Sequence, residues 1–247
     1  MTFPIVDREP VRLPTLAGHD DELWNTLIEL SEVRPGEWTL IGGQMVFLHG
    51  IEHGAAPPRI SADLDVLINA RITGRPIAAF ASGVEDLGFE MDGISPDGIA
   101  HRYRRNRVTI DLLAPEGLGE RTDLTTTPPG RTLQVPGGTQ ALDRTELLPV
   151  STSTRSGHVP RPSLLGAIVG KALAVRVDDA PHAQRLDFVF LLSLVGDPFA
   201  VADELTTKDR QRIRARWELI EGEHRVWNEL DTDARDRARA ALRILTG

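Results

Sequence analysis

A chain of 247 residues, 40% hydrophobic and 26% charged, can bury a sizeable core and has the composition of a globular protein, not a disordered one. Its formal net charge of −8 argues against a protein that coats nucleic acid indiscriminately. The lack of cysteine removes disulfides, thiolate metal sites and cysteine nucleophiles. No apolar run reaches the roughly 18 residues of a membrane span, and the opening MTFPIVDREPVRLP has neither the basic start nor the apolar stretch of a signal peptide. A cytoplasmic location is therefore the default expectation.

Residues Asp20–Val33 place Leu23, Leu27, Ile28 and Leu30 at helical spacing behind an acidic start, and Pro35-Gly36 ends that helix. Trp38–Ile41 reads as a short strand broken by Gly42-Gly43, with a helix over Gln44–Gly50, a loop over His53–Pro58 and a strand at Asp63–Ile68. Pro76–Leu87 reads as a helix, with Pro76 suited to its first turn. Strand-like pieces follow at Phe89–Asp92, Ala100–Arg104 and Val108–Leu113, and another at Thr132–Val135 in a Thr/Pro/Gly-rich connector. Beyond about Pro160 the pattern is helical: Pro162–Val177, His182–Val195, Thr207–Gly222 and Asp231–Leu245. The expected fold class is α/β (α+β): a mixed-sheet domain over residues 1–155, then a helical domain over 156–247.

The densest chemistry lies between Thr39 and Asp65. A strand ends in two glycines, a helix starts at once, and the next strand opens Asp-Leu-Asp. Gly42 and Gly43 lack a Cβ, so a phosphate can approach their amides, and the free N–H groups of the following helix point to the same place. Asp63 and Asp65 stand two apart on a strand and share a face. Carboxylates that close are tolerated best around a cation, and Mg²⁺ shares such ligands with substrate phosphates. Asp111, an acid inside the apolar strand VTIDLL, is costly unless paired or metal-bound. If its strand neighbours DLDVLI, the three carboxylates form a two-metal site for in-line displacement, with Asp111 placed to help deprotonate the attacking hydroxyl.

IGGQMVFLHG followed by RISADLDVLI resembles the DNA polymerase β-like nucleotidyltransferase superfamily, and within it the AbiEii and MenT-like toxins of toxin–antitoxin systems. The matching residues are the glycine pair, Arg59, Ser61, Asp63 and Asp65, and, on two later helices, Lys171 and Asp187. The resemblance spans roughly residues 20–200. It implies a polymerase β-like mixed sheet with a C-terminal helical bundle. It also implies transfer of a nucleoside monophosphate from an NTP to an acceptor hydroxyl, with Mg²⁺ or Mn²⁺ at Asp63, Asp65 and Asp111. Gly42, Gly43, Arg59, Ser61 and Lys171 would bind nucleotide, and Lys171 and Asp187 would join the catalytic set. The implied acceptor is the 3′ end of tRNA, and a cognate antitoxin is the implied partner. Two positions depart from the family pattern: Gly43, where many relatives place Ser, and Asp187, where relatives often show two acids.

The helical half can be read independently. Lys171 falls amid the apolar stripe Leu164, Ile168 and Val175, and Asp187 is the ionised member of the apolar helix RLDFVFLL. A buried ion pair joining two helices and a phosphate-binding lysine both fit. HRYRRNR (101–107) can hold an RNA backbone with Tyr103 stacked on a base, or can be a solvated hairpin. RQRIRAR (210–216) reads as a salt-bridged helix surface. His49 and His53 read as structural or loop residues, and Trp217 and Trp227 as core or interface anchors. Two other functions compete: an antibiotic-type nucleotidyltransferase acting on a small molecule, and a catalytically silent binding module of the same fold whose carboxylates would not converge.

Overall fold

The computed structural model describes residues 2–16, 21–59, 61, 63–71, 75–120, 122–175, 180–220 and 223–247. Asp20, Arg176, Val177, Glu221 and Gly222, at the ends of three expected helices, lie outside them. The chain forms two compact units, Met1–Met45 with Ser61–Pro162 and Val46–Ile60 with Ser163–Gly247. The two units divide after Pro162, and the second also takes up the excursion between the glycine turn and the DLD strand.

The first unit is mixed α/β. In chain order it holds β1 (Val11–Arg12), α1 (Glu22–Val33), β2 (Trp38–Ile41), the first turn of α2 (Gly42–Glu52), β3 (Asp63–Ile68), α3 (Pro76–Asp86), β4 (Glu90–Met91), β5 (Arg102–Arg105), β6 (Val108–Pro115), β7 (Leu133–Val135), α4 (Gly138–Asp143), β8 (Thr145–Ser151) and β9 (Ser156–Pro162). The larger sheet runs β2-β3-β6-β5-β4. β3 is parallel to β6 and antiparallel to β2, and β5 is antiparallel to β6. Along its other edge β6 changes partner: β5 pairs with its first half, and β7 pairs in parallel with Leu113–Pro115. β6 is buried along its whole length, which is why it reads as a near-continuous apolar run. Beneath the sheet Leu67 and Leu113 cluster with Ala141 and Leu142 of α4.

A second sheet, β1-β8-β9, was not anticipated. Pro149, Pro160 and Pro162 hide its hairpin, and β9 tolerates two prolines because it is an edge strand. Asp21, just before α1, ties that helix to the β8–β9 turn. Its carboxylate accepts from the Ser153 backbone N–H (2.9 Å), the Ser153 hydroxyl and the Thr15 hydroxyl (3.2 Å).

The second unit is helical: the rest of α2, then α5 (Leu164–Ala174), α6 (Pro181–Ser193), α7 (Pro198–Glu204), α8 (Thr207–Arg214), α9 (Trp217–Ile220), a 3-10 turn over Arg225–Glu229, and α10 (Thr232–Thr246). α6 is buried from Leu186 to Ser193 and packs on α5 and α10. The single helix expected over 207–222 is two short ones. The arginine run divides: Arg212 pairs with Asp209 at 3.4 Å and Arg216 with Glu218 at 3.7 Å, as a salt-bridged surface requires, while Arg210 donates to the carbonyls of Ala202 and Leu245, and Arg214 to those of Thr246 and Gly247. All four carbonyls lie at helix C-termini, where intrahelical donors run out; that of Ala202 also accepts from the Leu205 N–H at 3.3 Å. Trp227 is buried and Trp217 is exposed. Among the described residues no helix is long and apolar enough to cross a membrane.

The Ser153 hydroxyl, acting against burial, leads in holding the Asp21 carboxyl below its ordinary value. A carboxylate depressed in the folded state contributes stability above its unfolded pKa, and that stability is lost as pH falls through the folded value. The urea midpoint of the wild type is therefore expected to fall as pH drops below about 4. Asp21→Asn should start lower at pH 7 and lose less over the same range.

Candidate active site

The register of the sheet builds the carboxylate cluster. Asp65 pairs with Ile41 on one side and Asp111 on the other, and Asp111 pairs with Arg102. Side chains directly opposite one another share a sheet face, so Asp65, Asp111 and Arg102 form a row. Asp63, two residues before Asp65, joins the same face. Leu64, Val66, Ile110 and Tyr103 point to the other face and are fully buried.

Asp63 and Asp111 converge on one guanidinium. Arg102 Nε donates to Asp111 Oδ1 at 2.8 Å, and Nη2 donates to Asp111 Oδ2 at 2.8 Å and to Asp63 Oδ2 at 3.4 Å. The paired bonds to Asp111 are of the strong, charge-assisted, bidentate kind. Those bonds, foremost, drive the Arg102 pKa further above its already high value. The row is wet at one end: the Asp63 side chain is 44% exposed, that of Asp111 only 11%. The donors are carboxylate oxygens alone, the set hard divalent cations prefer, and a positive group already bridges two of the three acids.

Gly42 opens α2 with φ +71°, and a Cβ there would lie 1.7 Å from Asp65 Oδ2. The glycine thus makes room for a carboxylate, where the sequence reading assigned the space to a phosphate. Asp65 thereby lies against the first residue of a helix, the end that favours negative charge. Gly43 is buried and Ser61 half-buried. The Ser61 carbonyl accepts from the buried side chain of Gln44, which fixes the segment leading into β3.

In the second unit Asp187 is the centre of a cationic cluster. Lys171 Nζ lies 2.8 Å from Asp187 Oδ2 and also donates to Gln184 Oε1 at 2.8 Å. Arg59 grips both Asp187 oxygens, Nε at 2.8 Å from Oδ1 and Nη2 on Oδ2. Lys171 and Asp187 are buried, whereas the Arg59 side chain is 30% exposed. The helix-joining ion pair therefore exists, and a second cation attaches to it.

Sequence reasoning missed Arg102, Gln44 and Gln184. The signal for Arg102 was its distance from Asp111 across a two-residue turn, which makes the two cross-strand neighbours. Among the remaining HRYRRNR residues, the expected stacking residue is not at the surface. Tyr103 is wholly buried, its hydroxyl 2.8 Å from Thr127 Oγ1, so it cannot stack on a base. Nor is the stretch a merely solvated hairpin: Arg104 pairs with Asp92 at 2.8 Å, and Arg105 pairs with Glu29 and lies over the Phe89 ring. Beside Arg102 an open groove of about 470 Å³ runs past His101 and the 92–99 loop.

No protein-family model matches the chain, and no curated protein matches it. Among solved structures it is similar to an antigenic nucleotidyltransferase-like protein from Paracoccidioides brasiliensis, with 15% identity and a TM-score of 0.49 over 87% of this chain and 93% of that one.

Removing one member of a buried ion pair strands the other, at a cost of about 3–5 kcal/mol. Asp187→Ala should cost that much in urea unfolding. Asp63→Asn, at the wet end of the row, should stay within about 0.5 kcal/mol of wild type.

Proposed function

We propose that the chain is a metal-dependent nucleotidyltransferase that moves a nucleoside monophosphate from an NTP to an acceptor hydroxyl and releases pyrophosphate. The observation that carries this reading is the row of Asp65 and Asp111 with Asp63 on one sheet face, two of the acids already sharing a positive group. A silent module of the same fold would leave these acids apart; here Asp65 and Asp111 are in register and Asp63 shares a guanidinium with Asp111.

Asp63, Asp65 and Asp111 would hold Mg²⁺ or Mn²⁺. Bound there, such ions neutralise triphosphate charge and favour the alkoxide form of the acceptor. Arg102 balances Asp111, and its 41% exposed side chain has solvent to turn into when Asp111 is needed as a ligand or base. Asp111 takes the acceptor proton on an oxygen that Arg102 gives up. The acceptor oxygen then bonds to the α-phosphorus as the bond to the pyrophosphate oxygen breaks. The space over Gly42 is filled by the Asp65 carboxylate, so the head of α2 would seat a metal ligand and not a phosphate directly. Arg59 and Lys171 are cations held by Asp187, and Arg59, the more exposed of the two, would be the one to meet an anion.

Following the family resemblance, the acceptor is the 3′ end of tRNA, and the setting is a toxin with a cognate antitoxin. A second reading, a small hydroxyl-bearing acceptor of the antibiotic kind, is favoured by one observation. The groove beside Arg102 is of small-molecule size, while the basic stretches that would grip RNA are largely engaged in ion pairs and helix ends.

Incubation with each labelled NTP, Mn²⁺ or Mg²⁺ and total RNA should place label in RNA with wild type and not with Asp65→Asn. Label confined to small acceptors would establish the second reading, and no transfer to any acceptor would overturn both. Arg102→Gln removes the competing cation, so Mn²⁺ binding at the aspartates, followed by electron paramagnetic resonance, should tighten roughly three- to tenfold.

A further inference from the structure

The sequence His49-Gly50-Ile51-Glu52-His53 closes α2 and belongs wholly to the second unit. Residues three and four apart on a helix share a face, and here that face gathers two imidazoles and a carboxylate. Their ligand atoms all lie within 4.8 Å of one another, and His49 Nδ1 is 3.7 Å from Glu52 Oε2. Among the described residues this is the group of three that meets such a limit; the three aspartates of the sheet do not.

We propose that His49, Glu52 and His53 form a binding site for Zn²⁺ or a similar borderline divalent ion, separate from the carboxylate row. Three features argue for it beyond proximity. The donor set is two nitrogens and one oxygen, which suits Zn²⁺ and not the all-oxygen shell of Mg²⁺. His53 Nδ1 lies 2.8 Å from the His49 carbonyl oxygen, and a carbonyl only accepts, so Nδ1 carries the proton. That leaves Nε2 with the lone pair, in the arrangement by which metal-binding histidines are held. The backbone under the site is also fixed. A Cβ at Gly50 would meet the Ala55 carbonyl at 2.7 Å and the Phe190 ring at 3.1 Å, and the Ala55 N–H donates to the Gly50 carbonyl at 2.8 Å.

The burial gradient fits a site filled from solvent. His49 is fully buried, Glu52 nearly so, and His53 is exposed. Donors about 2 Å from a common ion lie within roughly 4 Å of each other, so modest rotation of Glu52 and His53 closes the shell. Three protein ligands leave a fourth position for water. Bound there, the ion would cross-link the last turn of α2 to the loop that follows. The inference does not depend on nucleotidyl transfer.

The test uses the full chain, freed of metal with a chelator and titrated with Zn²⁺ by calorimetry, with Co²⁺ absorption as a second readout. One equivalent should bind the wild type and raise its Tm. His53→Ala removes an exposed side chain and one hydrogen bond, so the metal-free variant should melt only slightly below wild type while its affinity falls at least roughly tenfold. Glu52→Gln should behave alike, and Asp63→Asn should bind Zn²⁺ as wild type does. Unchanged Zn²⁺ affinity in His53→Ala, no binding by wild type, or loss of binding in Asp63→Asn would each overturn the proposal. The last result would move the ion to the sheet.

Discussion

The parallel pairing of β3 with β6 is the constraint on which the rest turns. It sets Asp65 directly beside Asp111, with Asp63 on the same face, and like charges placed this way repel. The fold meets that cost with one counter-charge on the next strand, delivered by the β5–β6 hairpin. The glycine at the head of α2 has a complementary task, since any side chain there would occupy the space of the Asp65 carboxylate. Sheet register, hairpin and glycine thus act on one electrostatic problem, and changing any of them moves charge, not only shape.

The second unit solves a similar problem with the signs reversed. Asp187 is a single buried acid between two cations, Lys171 buried and Arg59 partly exposed. The pair with Lys171 joins α5 to α6, while Arg59 brings in the segment that precedes β3. Of the three side chains, only that of Arg59 is partly exposed.

Much of this was legible in the chain. Strand and helix periods placed β2, β3 and β6, the shared face of Asp63 and Asp65 followed from their spacing, and Lys171 on an apolar stripe and Asp187 in an apolar helix, both marked by the family resemblance, each called for a partner. The illegible parts have physical causes. The β8–β9 hairpin carries prolines that resemble a connector, and the two on β9 are tolerated because that strand is at the edge. Arg102 looked like one of several surface arginines, because its partner is fixed by cross-strand register and not by sequence motif. Tyr103 looked available for stacking because period-two alternation was not carried through the basic run: with Arg102 on the acid face, its neighbour has to point into the core.

The hairpin between β5 and β6 turns over Asn106 and Arg107, with Asn106 at φ +52°. Because side chains alternate along a strand, the length of that turn decides which residue meets Asp111. One additional residue there, with the strands still paired, would bring Tyr103 opposite the acid and send Arg102 into the apolar layer. Two loop residues thus act as a gauge block for the charge balance of the sheet: a length change would invert which of polar and greasy lies beside the acids, with no aspartate altered.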